Sequence, residues 1–234
     1  MIGSPRVHHR LTDSTNQRAK ELAEAGAPHG TVVTADEQTA GRGRQGRSWV
    51  APPGAAVLAS VVVRELDSIA MLPLAAALAV CEAAEECAPV RCQIKWPNDV
   101  WIERRKLSGI LVEGRPAAGW AVVGIGLNVL TREDEFPPDL RGTATSLRAA
   151  GAETVSVSAT LGALLDGLGR WIEAEPAGVV AAWRERDALL GERIGWGEGE
   201  GVAAGIDDSG SLLVDTDAGR VALGAGEVHL RRID

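Results

Sequence analysis

The chain has 234 residues, 45% hydrophobic and 24% charged, with a formal net charge of −8 at pH 7. This is the profile of one large globular domain, or of one large and one small, and it excludes a fibrous or disordered chain; the acidic balance argues against a dedicated nucleic-acid binder. The longest apolar run, about Ile69 to Cys81, meets Glu82 too early to span a bilayer, and no basic-then-apolar leader opens the sequence, so a cytoplasmic location without membrane contact is expected.

In chain order, Arg6 to Leu11 reads as a strand, and Asp13-Ser14-Thr15-Asn16 offers several helix N-caps. A helix through Ala19, Leu22 and Ala23 follows, stopped by Gly26. Thr31 to Thr34 is β-branched and strand-like, and Val57 to Val63 is a buried strand. Residues 39–54, rich in Gly, Arg and Pro, cannot form a regular element. Ala70 to Cys87 predicts a strong helix, and Cys92 to Trp96 a strand ended by Pro97. Strands at Val100 to Ile102 and Leu107 to Glu113 are joined by the turn Glu103-Arg104-Arg105-Lys106, and Trp120 to Leu130 gives another strand. Residues 131–145 read as a loop, and helices are expected over about 158–174 and 176–190. After Gly191, short apolar runs alternate with glycines and Asp-rich turns: Val202 to Ile206, Ser211 to Val214, Arg220 to Leu223 and Val228 to Leu230. They predict a small antiparallel barrel, too short to be secure alone and so leaning on the larger part.

Several clusters bear on chemistry. The three cysteines, Cys81, Cys87 and Cys92, are odd in number and lack ligand-like partners, so they read as free thiols, and no metal site is expected. Gly41, Gly43 and Gly46 satisfy GxGxxG in form, but Ser48-Trp49-Val50-Ala51-Pro52-Pro53 cannot open the helix that a dinucleotide site needs. What remains is a pliable loop with three guanidinium groups, Arg42, Arg44 and Arg47, suited to closing over an anionic small ligand. An isolated solvated basic loop is the plainer alternative, and an RNA-binding Arg-Gly segment would be longer and carry more aromatics than Trp49. Only Lys20, Lys95 and Lys106 are lysines among 24 Lys and Arg residues. Lys95-Trp96-Pro97-Asn98-Asp99 ends a strand, where ligand crevices open and a Lys can act as a point charge; taken alone the stretch is an ordinary turn. In Gly124-Ile125-Gly126-Leu127-Asn128, an amide in an apolar strand must find a partner, either ligand or backbone.

Taken together and in order, Asp13-Ser14-Thr15-Asn16, Glu37-Gln38-Thr39-Ala40 with GRGRQGR at 41–47, Lys95-Trp96-Pro97-Asn98-Asp99, Lys106-Leu107-Ser108-Gly109-Ile110-Leu111-Val112-Glu113 and the Gly124–Val129 stretch resemble the biotin protein ligase family, the holocarboxylase synthetases. The resemblance runs from about residue 10 to the C-terminus. It implies an α+β fold: a mixed β-sheet with packed helices, the class II synthetase-like biotin/lipoate ligase catalytic domain, over residues 1–187. A small C-terminal SH3-like β-barrel follows over 188–234. With Ser14 so close to the start, the ligase-only form without an N-terminal winged helix is expected.

The implied activity uses biotin and ATP, with Mg2+ accompanying ATP, to make biotinyl-5′-AMP and pass biotin to a lysine of a biotin carboxyl carrier protein of an acyl-CoA carboxylase. By the resemblance Ser14, Thr15, Asn16 and Gln38 recognise the ureido head. Gly41, Arg42, Gly43, Arg44, Lys95 and Gly109 complete the biotin site, with Lys95, Arg42 and Arg44 as the catalytic set. Arg44, Arg47, Trp49, Asn98, Lys106 and Asn128 are implied for the nucleotide. The loops 41–54 and 131–145 are expected to act as lids over a hydrolysable anhydride. The alternatives are a lipoate–protein ligase and a non-catalytic biotin-binding regulator. Monomer and homodimer both stay open.

Overall fold

The computed structural model describes residues 1–64, 69–197, 199–224, 226 and 228–230. β1 (Arg6–Thr12) leads into α1 (Thr15–Glu24), with Ser14 at its N-cap position, and Gly26 follows in the left-handed region at φ +89°. β2 (Val32–Gln38), β3 (Ala56–Arg64) and α2 (Leu72–Cys87) come next, then β4 (Gln93–Lys95), β5 (Asp99–Ile102), β6 (Arg105–Arg115) and β7 (Trp120–Asn128). α3 (Val157–Ile172) and α4 (Pro176–Arg184) close the larger part. The seven strands lie in the order β1-β2-β3-β7-β6-β5-β4; β1 and β2 are parallel and the other pairs antiparallel, which makes the sheet mixed.

Alternation along the central strands assigns the two faces of this sheet. In β3 and β7 the odd-numbered positions Val57, Ala59, Val61, Val63, Ala121, Val123, Ile125 and Leu127 join the main core with α2 and α3. The alanines of α2 let it sit close: Ala76, Ala77 and Ala79 are fully buried, and Gly167 of α3 lies against Ala79. The even-numbered positions face the other way. Val62, Trp120 and Val122 pack with Ala19 and Ala23 of α1, but α1 covers only one end of this face. Beyond it the same row continues as Gly124, Gly126 and Asn128, and the sheet is left open.

The second sheet contains β8 (Arg193–Trp196), β9 (Gly199–Ile206), β10 (Leu212–Thr216), β11 (Gly219–Leu223) and β12 (His229–Leu230), antiparallel throughout in the order β11-β10-β9-β8-β12. Its inner residues Ile194, Ala203, Ile206, Leu212, Val214 and Val228 belong to the same buried cluster as the large sheet. Trp96 Nε1 donates to the Gly210 carbonyl at 3.0 Å, and Arg184 donates to the Ile206 carbonyl.

Three sequence expectations are corrected. The last helix was expected to reach residue 190 but ends at Arg184, because the chain then pairs with β4: Ile94 N–H donates to the Arg186 carbonyl and Ala188 N–H to that of Ile94. β8 was not foreseen; with Gly195 inside it, it carries little strand signal of its own. The β5–β6 turn is two residues, not four, because Glu103 and Arg104 both take positive φ, 49° and 62°, and pairing resumes at Arg105.

Glu85 of α2 fixes this corner. Both its oxygens accept from Arg186, at 2.7 and 2.9 Å, and it also accepts from Cys92 N–H. Burial raises the Glu85 carboxyl, but the Arg186 bonds, the Cys92 bond and nearby positive charge outweigh it, and the group lies below its ordinary value. Arg186→Met should therefore cost about 1–3 kcal/mol in urea unfolding at neutral pH. A depressed carboxylate stabilises above its unfolded value, about 4.3, and that stability disappears as pH falls through the folded value. The gap between wild type and variant should accordingly narrow in acid.

Candidate active site

The uncovered half of the sheet forms the floor of a cavity of about 460 Å³. Thr15 and Asn16, in the first turn of α1, line one end with Gln38 from the end of β2. Leu58, Leu111, Gly124 and Gly126 form the floor, and Trp49 lies across it. Arg42, Arg44, Arg47, Arg104 and Lys106 bring positive charge to the walls. Phe136, Leu140, Thr143 and Ala144 close the far side.

Two glycines of β7 make this arrangement possible. A Cβ on Gly124 would fall on the Asn16 carboxamide, and one on Gly126 would fall within the Trp49 indole. The indole Nε1 is buried and has no hydrogen-bond partner among the described residues. Trp49 is delivered by the 41–49 loop, which folds as a tight hairpin: Gly43 N–H donates to the Arg47 carbonyl, Trp49 N–H to that of Gly41, and Gln45 and Gly46 take positive φ. The second loop is tied to β6 by Lys106 N–H on the Thr143 carbonyl and Thr145 N–H on that of Lys106, both 2.8 Å.

A chain of polar contacts backs the α1 end. Thr15 N–H and its hydroxyl donate to Gln38 Oε1 at 2.7 and 3.1 Å. Ser60 Oγ, fully buried, lies 2.8 Å from Thr15 Oγ1 and 2.6 Å from Asn16 Oδ1. Asn16 Nδ2 donates to Glu113 Oε2 at 2.9 Å, and Lys20 Nζ pairs with Glu113 Oε1 at 2.7 Å. At the other end Asn98 Nδ2 donates to the Ile110 carbonyl, Arg44 Nη1 reaches Asn98 Oδ1 at 3.4 Å, and Lys106 pairs with Asp99 at 2.7 Å.

Of the residues singled out in the sequence, Thr15, Asn16, Gln38, Arg42, Gly43, Arg44, Arg47, Trp49, Asn98, Lys106, Gly109 and Asn128 meet around this cavity. Three do not line it. Ser14 is buried at the α1 N-cap, and Gly41 gives room to the Trp49 carbonyl. Lys95 borders a small neighbouring hollow with Arg44, Arg47 and Asn98, its Nζ 5.5 Å from the Trp101 ring centroid. Asn128 turns its amide N–H to the Thr145 carbonyl. Sequence reasoning missed Ser60, Arg104 and the role of Glu113. Ser60 was findable, as a lone hydroxyl in the run Ala-Val-Leu-Ala-Ser-Val-Val-Val, where a buried donor must be partnered.

Residues 8–129 match the family model described as "Biotin/lipoate A/B protein ligase family", and residues 193–231 match "Biotin protein ligase C terminal domain". The chain belongs to the biotin/lipoate protein ligase family. Among its relatives is the biotin--[acetyl-CoA-carboxylase] ligase of Mycobacterium tuberculosis, 37% identical over 94% of this chain and 87% of the relative. The bifunctional ligase/repressor BirA of Bacillus subtilis is 34% identical over 98% of this chain and 75% of its own length. A solved biotin protein ligase from Aquifex aeolicus, in complex with biotin and ATP, superposes with a TM-score of 0.86 at 31% identity, covering 98% of this chain and all of the other. The fold of this ligase-family chain is thus the mixed sheet with packed helices and a separate C-terminal antiparallel sheet.

Gly126→Ala should expel the Trp49 indole from the floor while leaving the fold intact at a cost of about 1–3 kcal/mol. The check is the Trp49 indole N–H resonance, which should move to a solvent-exposed position in the variant.

Proposed function

We propose that this protein is a biotin–protein ligase: it activates biotin with ATP as biotinyl-5′-AMP and transfers biotin to the target lysine of a biotin carboxyl carrier protein. The observation that carries this reading is the polarity of the cavity. Neutral, hydrogen-bonded amides and hydroxyls stand at one end, an apolar floor in the middle, and Arg44, Arg47, Arg104 and Lys106 toward the other, while Arg42 lies on the α1 side with its Nη1 3.4 Å from Gln17 Oε1. Biotin has the same order, with a ureido head, an apolar ring and tail, and a carboxylate. The names of the relatives and of the biotin- and ATP-bound neighbour support the same assignment.

In the first step a biotin carboxylate oxygen bonds to the α-phosphorus of ATP as the bond to the bridging oxygen breaks, and pyrophosphate leaves. Two anions must meet, so the protein's task is to offset their repulsion and the charge that develops in flight. Arg42 and Arg44 are assigned to the carboxylate–phosphate end, with Arg47, Trp49, Asn98, Lys106 and Asn128 toward the nucleotide. Lys95 is assigned to the carboxylate–phosphate junction; it borders the adjoining hollow together with Arg44, Arg47 and Asn98. In the second step the carrier amine bonds to the acyl carbon, AMP leaves, and the amine gives up its proton.

Mg2+ arrives with ATP. The acidic side chain in the cavity wall, Asp99, is committed to Lys106, and among the described residues no three His, Cys, Asp or Glu side chains converge on a metal position. Residues 1–187 are taken as the catalytic domain and 188–234 as the barrel, a division supported by the change from α4 to β8. Among the described residues no helix is long and apolar enough to cross a membrane.

The test is pyrophosphate release from ATP with biotin or with lipoate. Release is expected with biotin alone, and Lys95→Ala should lower it by about 100-fold or more. Release with lipoate instead would transfer the assignment to the lipoate ligases, and folded protein that releases none would favour a binding-only regulator. The two loops should also differ in limited proteolysis. Biotin with ATP should protect 41–54 strongly, while 131–145, already bonded to Lys106, should change less. Equal cleavage of 41–54 with and without ligands would contradict its role as a lid.

A further inference from the structure

Asn16 has its orientation imposed from outside the cavity. On one side its Nδ2 faces Glu113 Oε2 at 2.9 Å and the Leu111 carbonyl at 3.3 Å. A carbonyl and an ionised carboxylate can only accept, so the amide must turn its NH2 toward them. Oδ1 is thereby committed to the other side, where it accepts from Ser60 Oγ and keeps a lone pair to offer. The reasoning holds for Gln38 as well. Thr15 N–H is an obligate donor, so Gln38 presents Oε1 to it and has Nε2 left for a ligand. The α1 end thus holds fixed acceptor and donor positions, the complement of a group with ring N–H donors and a carbonyl.

Glu113 does not line this cavity; it borders the adjoining open hollow with Arg42, Arg44 and Leu111, and its carboxylate touches Asn16. Lys20 neutralises it at 2.7 Å, with Arg42 adding positive charge nearby. Burial raises this carboxyl, but the bonds from Lys20 and Asn16 and the two cationic charges outweigh it, so it stays ionised and acceptor-only near neutral pH.

We propose that Glu113 is a positioning residue that sets the hydrogen-bond polarity of the ureido end, acting through Asn16, with Lys20 as its counter-charge. This rests on the biotin reading above and extends it to a residue outside the lining of the main cavity. An amide at position 113 can donate as well as accept, so it allows Asn16 to rotate and present NH2 where an acceptor is needed.

The experiment compares wild type, E113Q and E113D in pyrophosphate release with biotin and with a cyclic-carbamate analogue in which one ureido N–H is a ring oxygen. Wild type should discriminate strongly against the analogue, whose oxygen meets Asn16 Oδ1. E113Q should raise KM for biotin by about tenfold and narrow the biotin-to-analogue ratio of kcat/KM by a similar factor, leaving KM for ATP within about twofold. E113D withdraws the carboxylate by one methylene, should fall between the two, and serves alone if E113Q does not fold. An unchanged biotin KM and ratio in either folded variant would overturn the proposal, as would a parallel loss for biotin, analogue and ATP. Wild type that releases no pyrophosphate with biotin would instead refute the biotin reading itself.

Discussion

Everything in this site depends on one row of one strand. The even-numbered positions of β7 run Trp120, Val122, Gly124, Gly126, Asn128, and the sequence changes character in the middle of the row. At the large end the sheet is sealed by α1. At the small end there is no side chain to seal with, so a helix terminus and an indole approach the backbone directly and a cavity opens beside them. The odd-numbered row of the same strand stays apolar and packs on α2 and α3, which keeps the floor rigid. A rigid floor holds polar groups at fixed separations without any ligand present.

On that floor the two ends of the cavity solve different electrostatic problems. The α1 end is built from neutral groups that satisfy one another, so their desolvation is offset within the network. The Glu113 carboxylate behind Asn16 is paired with Lys20. The opposite end gathers cations whose mutual repulsion is relieved by Asp99 on Lys106 and by Glu192 on Arg104. Anionic substrates then meet a wall whose charge is already placed, and little reorganisation is needed when charge develops.

Much of this was legible in the residues. Helical spacing located α1, the density of Ala and Leu located α2, and short β-branched or apolar runs located most strands. The GRGRQGR loop and the Lys95–Asp99 turn stood out because their composition resists regular structure. Long-range pairing was not legible. Nothing in residues 185–190 announces that the chain will leave a helix to bond with β4, since the reason lies in Ile94, some ninety residues away. Lys95 was placed by its neighbours in the motif, whereas the turn at Pro97 sets it on the other side of Asn98 and Trp101 from the main cavity. Glu113 has no role legible in its own stretch of sequence, because its partners, Asn16 and Lys20, come from a helix nearly a hundred residues earlier.

The bond from the Trp96 indole to the Gly210 carbonyl gives the C-terminal sheet a second significance. Trp96 is nearly fully buried and stands between Lys95 and Pro97, so the turn that holds Lys95 and Asn98 hangs from a peg driven into the small sheet. That sheet is therefore a buttress as well as an appendage. Any force that shifts it, such as a docking macromolecule pressing on its outer strands, is delivered to the cationic end of the cavity through the Trp96 indole and the Glu192–Arg104 ion pair.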